Sequence, residues 1–123
     1  MQRTIMTVDD STSMRQMVKA TLVSAGYGVV EAADGQEALD YARENPVDLV
    51  IADVNMPRMD GITLVSELRL LPAYRLIPLL LLTTESSQEK KQEGKRAGAT
   101  GWIVKPFNPS QLLSSLNRLF AHP

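Results

Sequence analysis

Cysteine is absent from this chain of 123 residues. Disulfides, thiolate metal centres and a cysteine nucleophile are thereby excluded, and the absence fits a reducing cytosol. Long apolar runs are missing as well. The longest, 76–82, is far below the ~20 residues needed to span a bilayer, and Pro78 interrupts it. No apolar leader precedes the first strand-like run, so the expectation is a cytoplasmic protein with no membrane segment. Charge of one sign is not in excess: 13 Lys and Arg face 14 Asp and Glu, for a net charge of −1. With no basic stripe, nucleic acid is not an expected partner. A phosphate-cradling G-x-x-x-x-G-K-[ST] loop is missing, and Gly26-Tyr27-Gly28 lacks a third glycine at the spacing of a dinucleotide fingerprint.

What is there alternates. Apolar runs at 3–8, 28–32, 47–52, 79–83 and 100–104 read as strands, and helical patterns lie between them. The run at 47–52 is apolar nearly throughout, as suits a strand covered on both faces. Helix one is expected over 11–25, with Met14, Met17, Val18, Leu22 and Ala25 on its buried stripe, and Gly26 ends it. Asp34 with Glu37, and Ser86 with Glu89, have capping-box spacing for helices two and four. Helix three is expected over 61–71, and Pro72 and Pro78 bracket the connection that follows. Asn108 and Pro109 suit the N-cap and first position of helix five. Five β–α units imply right-handed crossovers, a doubly wound parallel α/β sheet and one domain over 1–123.

In such a sheet, ligands bind at the carboxyl ends of the strands. There the sequence puts Asp9 and Asp10 after strand one, Asp53 after strand three, Thr83 closing strand four and Lys105-Pro106 closing strand five. Each has a plainer explanation alone. Asp10 or Ser11 could cap helix one, Thr83 could be an ordinary strand residue, and Lys105 could simply pair with Asp53. Together they are harder to explain by packing. Three carboxylates repel unless a cation neutralises them, and an all-oxygen donor set suits Mg²⁺ or Mn²⁺. The cluster is expected to bind a divalent metal and handle a phosphoryl group.

The stretches Val8-Asp9-Asp10-Ser11, Asp53-Val54-Asn55-Met56-Pro57-Arg58-Met59-Asp60-Gly61, Leu82-Thr83-Thr84-Glu85 and Lys105-Pro106-Phe107 resemble the receiver domains of two-component signalling. The run Gly98-Ala99-Thr100-Gly101-Trp102-Ile103-Val104-Lys105-Pro106-Phe107 is similar in particular to the CheY-like, single-domain chemotaxis response regulators. The resemblance covers essentially the whole chain. It implies a flavodoxin-like fold of five helices around five strands in the order 2-1-3-4-5. It assigns Asp53 as phosphoacceptor, and Asp10, Asp53 and the backbone carbonyl of Asn55 as Mg²⁺ ligands, with Asp9 acting through water. Lys105 and Thr83 would contact the phosphoryl group, and the Lys105–Pro106 bond would be cis.

The resemblance further implies a protein that catalyses only its own phosphorylation and dephosphorylation. A histidine kinase of the chemotaxis type would be the donor, a flagellar motor switch protein the target, and a phosphatase a further partner of the monomer. Thr83 would move with the phosphate and couple to an aromatic residue on strand five. That position holds Trp102, where the family more often has Tyr or Phe. Glu85 would flank the pocket, and Lys90, Lys91 and Lys95 would lie on an output face built from helix four, strand five and helix five. The same fold would also serve a phosphorelay shuttle or phosphate sink with no motor contact. A haloacid-dehalogenase-type phosphatase shares the Asp, Thr, Lys and Mg²⁺ set, but it needs a second Asp two residues after the nucleophile, where this chain has Asn55.

Overall fold

A computed structural model describes residues 2–84 and 88–121. Glu85 and Ser86 lie outside them, and with them the expected capping of helix four. The described elements alternate strictly: β1 Thr4–Val8, α1 Thr12–Ser24, β2 Gly28–Ala32, α2 Gly35–Glu44, β3 Leu49–Asp53, α3 Gly61–Arg69, β4 Leu79–Thr83, α4 Gln88–Ala97, β5 Gly101–Val104 and α5 Pro109–Ala121. The five strands form one parallel sheet in the order β2-β1-β3-β4-β5. This is the flavodoxin-like α/β fold expected from the sequence.

Alternation along the strands sends side chains to opposite faces, and each face has its own core. Met6, Val8, Val50, Ala52, Leu79 and Leu81 pack with Leu39 and Ala42 of α2 and Leu64, Val65 and Leu68 of α3. Ile5, Leu49, Ile51, Leu80 and Leu82 pack with Val18 and Leu22 of α1 and Leu112 and Leu116 of α5. β3 and β4 are buried along their whole length, as required of strands covered on both sides.

Local chemistry explains the helix starts. Ser11 Oγ accepts from Met14 N and Asp34 Oδ1 from Glu37 N, while Asp60 Oδ1 accepts from Thr63 N and Asn108 Oδ1 from Gln111 N. Each satisfies an amide the helix cannot pair internally. Of the two caps open for α1, Ser11 is the one used. Glu37 reaches back to the amide of Ala33, one residue earlier than a standard capping box.

The stripe expected on α1 needs correction. Val18 and Leu22 are buried, but Met17 is 56% exposed and Ala25 is also exposed. The helix rests on a narrower seam than its apolar residues suggested. β3 also starts two residues later and ends one residue later than expected, so that Asp53 is its last residue rather than the first of the loop.

Candidate functional site

The strand register brings the expected residues to one rim. In the β1–β3 pair Val8 stands opposite Ala52, in the β3–β4 pair Asp53 stands opposite Leu82, and in the β4–β5 pair Thr83 stands opposite Val104. Asp9, Asp53, Thr83 and Lys105 therefore cap four adjacent strands, each within one residue of its neighbour in register. Carboxylate oxygens of Asp9, Asp10 and Asp53 lie within 4.8 Å of one another. Asp9 and Asp53 are buried, Asp10 is exposed and opens the cluster to solvent, and Thr83 is buried.

Lys105 reaches into this acidic pocket. Its Nζ stands 2.8 Å from Asp53 Oδ1 and 3.4 Å from Asp9 Oδ2. Lys105 N donates to Thr83 O at 2.8 Å, and the Lys105–Pro106 peptide is cis. One ammonium does not balance three carboxylates. Among the described residues, Asp9 Oδ2 is buried with no hydrogen-bond partner and only the Lys105 ammonium, at 3.4 Å, beside it, an arrangement proteins otherwise avoid. Burial pushes the Asp53 carboxyl above its ordinary value; the Lys105 hydrogen bond opposes the rise and the charges of Asp9 and Asp10 add to it. For Lys105, burial favours the neutral amine, but the hydrogen bond and charge of Asp53, followed by Asp9, outweigh it and hold the group above its ordinary value. A compact all-oxygen set with a buried acceptor that makes no hydrogen bond among the described residues fits a hard divalent cation such as Mg²⁺.

The neighbouring backbone holds these groups in place. Asp9 N bonds to Ala32 O, Ser11 N donates to Asp9 Oδ1 at 2.9 Å, and the Arg15 guanidinium donates to Asp9 O at 2.6 Å. The return of the loop after Asp53 is tight: a Cβ on Gly61 would overlap the Asp53 carbonyl oxygen, and Gly61 N bonds to Val54 O. Only glycine permits that approach. Arg58, with φ 66°, sits in the left-handed region, and its guanidinium forks onto both carboxylate oxygens of Asp34 at 2.9 and 3.0 Å. Two loops that border the rim are thereby tied together.

Gly61 was visible only as part of a motif. Arg15 and the Arg58–Asp34 pair were not singled out, since each partnership spans elements and leaves no periodic trace. Asn55, two residues after Asp53, is exposed, while Glu85 lies outside the described residues. Trp102, Lys90 and Lys91 are not at the rim. Trp102 is half-buried against the core, and Lys90 pairs with Glu93 along α4. Lys91 and Lys95 join Thr100 and Trp102 around an open cleft of about 390 Å³ between α4 and β5.

Comparison with known proteins accords with this geometry. The family model described as the response regulator receiver domain matches residues 5–117. Chemotaxis protein CheY-3 of Vibrio cholerae is 38% identical over 117 residues, covering 94% of this chain and 90% of that protein. The structure of Vibrio cholerae CheY4 superposes with a TM-score of 0.93 at 54% identity, covering 97% of this chain and 99% of that one. The receiver domain of the Pseudomonas aeruginosa sensor histidine kinase PA1611, solved with a magnesium ion coordinated in its active-site cleft, superposes with a TM-score of 0.91 at 28% identity, covering 98% of this chain and 99% of that one.

Proposed function

The chain belongs to the response regulator receiver family, and from that membership we propose that it is a signalling switch set by phosphorylation of Asp53. Receiver domains are signalling proteins, and histidine kinases are their phosphodonors. The observation that carries the assignment is the Asp53 carboxylate, buried at the tip of the central strand with Lys105 Nζ at 2.8 Å and two further carboxylates beside it.

Asp10, Asp53 and the backbone carbonyl of Asn55 would hold Mg²⁺, with Asp9 acting through water. When bound, the ion supplies positive charge against the phosphoryl oxygens. Asp53 forms the new O–P bond as the N–P bond of the donor phosphohistidine breaks, and the imidazole leaves with the electron pair. No general base is required, because the attacking carboxylate is already ionised. The transition state is loose and its charge is spread over three oxygens, so placement and neutralisation do most of the work. Lys105 turns from Asp53 toward the incoming oxygens, and Thr83 donates its hydroxyl to one of them. The product carries about −1.5 to −2 charges where one carboxylate stood, and that change drives the output.

Treating the protein with acetyl phosphate and Mg²⁺ and mapping the adduct by mass spectrometry tests this reading. One phosphoryl group on Asp53, absent from Asp53→Asn, is expected. A modified residue elsewhere, or uptake by Asp53→Asn at the wild-type level, would reject the assignment.

The output we infer is chemotaxis control through the flagellar motor switch, supported by the CheY-named relatives. Capture by immobilised motor switch protein should rise on phosphorylation. Equal capture in both states would favour a phosphorelay shuttle or phosphate sink.

A further inference from the structure

The sequence of α4, Gln-Glu-Lys-Lys-Gln-Glu-Gly-Lys-Arg-Ala, offers no apolar side chain larger than alanine. A helix is normally docked by an apolar stripe of its own. Here the buried residue of α4 is Gly94, and glycine weakens a helix interior through its backbone freedom. A Cβ on Gly94 would overlap Trp102 Cζ2, and it would lie 3.2 Å from Trp102 Cη2 and 3.0 Å from Leu81 Cδ1. Trp102 stands opposite Leu81 in the β4–β5 register and packs against the core on the α2–α3 face. The helix thus supplies a recess, and the sheet supplies the side chain that fills it.

We propose that Gly94 is a positioning residue for Trp102: its missing side chain admits the indole, and the seated indole is the principal apolar anchor of α4. Ring placement and helix docking then form one equilibrium. An indole in the recess holds α4 down, and an indole outside it leaves a polar helix with little to bury. A tryptophan here reaches under the helix, and only the smallest residue can lie above it. The two identities fit as a pair. The docking claim concerns the unphosphorylated protein and stands apart from the role of Asp53. Its signalling consequence rests on the proposed function, because α4 and β5 border the inferred output face.

Trp102 is the only tryptophan in the chain, so its emission reports this contact without interference. Helix propensity alone says that Gly94→Ala should slow hydrogen exchange of the α4 amides. The recess says the opposite: the methyl group displaces the indole, α4 loosens and its amides exchange faster. Trp102 emission should shift to longer wavelength and acrylamide should quench it more strongly. Trp102→Tyr should also speed α4 exchange in the wild-type background. Combined with Gly94→Ala it should bring exchange back toward the wild-type rate, because the smaller ring leaves room for the methyl group. Double-mutant non-additivity of that sign is the signature of a shared contact. Unchanged emission together with slower α4 exchange in Gly94→Ala would overturn the proposal, as would additive effects of the two substitutions. If Gly94→Ala does not fold, Trp102→Tyr alone decides: faster α4 exchange supports the anchor, and an unchanged rate rejects it.

Discussion

Asp53, which we propose as the phosphoacceptor, sits where burial disfavours its charge. Burial raises its carboxyl above the ordinary value of 3.8, and the charges of Asp9 and Asp10 reinforce the effect. Between 3.8 and that raised value the folded chain binds the proton more tightly than the unfolded chain. This group therefore favours folding at the acid end of the window and opposes it as pH rises through the window. Lys105 is raised above 10.5 by its acidic neighbours despite burial. Its contribution is complete below 10.5 and is lost as pH rises through its folded value. At neutral pH, Asp53→Asn removes a repelled charge while Lys105 keeps an amide oxygen to pair with. We expect the variant to be more stable by about 1 kcal/mol at pH 7, the usual gain when a functional strain is removed. The advantage should shrink as pH falls toward the ordinary carboxylate range. Urea titrations of both proteins at pH 7 and in mild acid measure it, and a variant less stable than the parent at pH 7 would contradict the burial argument. Asp9, Asp10, Asp53, Thr83 and Lys105 could be read beforehand because each follows or closes an apolar run, and the fold places such positions at one rim. Gly94 could not: its meaning depends on an indole eight residues away that reaches it only after β5 has paired with β4.

Elements were legible where local chemistry decides them. Ser11, Asp34 and Asn108 accept amide bonds at helix starts, and residue type alone announces such caps. Asp60 does the same for α3, where the sequence suggests only a loop residue. β3 was harder to bound, because a buried aspartate at a strand end looks like the first loop residue until pairing extends the ladder to it. The connection after α3 was legible only as a gap between two prolines, and it contains a single 3-10 turn, Pro72–Tyr74. What organises it is Arg69, the last residue of α3. Its guanidinium donates to the carbonyls of Tyr74, Arg75, Ile77 and Gly98 and to Thr100 Oγ1. One side chain thus binds the end of α3, the loop into β4, the end of α4 and the start of β5. Five donors in a rigid fork suit such a task, and lysine cannot reproduce it. Arg69→Ala leaves partly buried carbonyls unpaired, so we expect a loss of about 2–3 kcal/mol. Arg69→Lys should recover less than half of it. The denaturant midpoint should fall with the slope unchanged, and a variant within experimental error of the parent would show that water satisfies these carbonyls instead.

At the scale of the molecule, the strand order gathers charged side chains from β1, β3 and β5 at one end of a sheet whose two faces are otherwise apolar. Crowding of the carboxylates disfavours the Asp53 charge, so a cation that binds only the folded chain should offset part of that repulsion and stabilise the fold. The gain follows mass action and is about 2.7 kcal/mol when free ligand is 100 times its dissociation constant. For a domain of this size the melting temperature should rise on the order of 10 °C. Magnesium chloride should deliver that rise, and sodium chloride at matched ionic strength should not, because screening acts weakly on buried charges. Asp10→Ala keeps the two buried carboxylates and Lys105 but loses the exposed oxygen that opens the cluster to solvent, so its melting temperature should respond far less to magnesium. Asp53→Asn should start from a higher melting temperature and gain less, because part of the repulsion is already gone. Were Asp10→Ala to gain as much as the parent, magnesium would be acting elsewhere on the surface. The acidic rim would then be an electrostatic liability with no ligand to justify it.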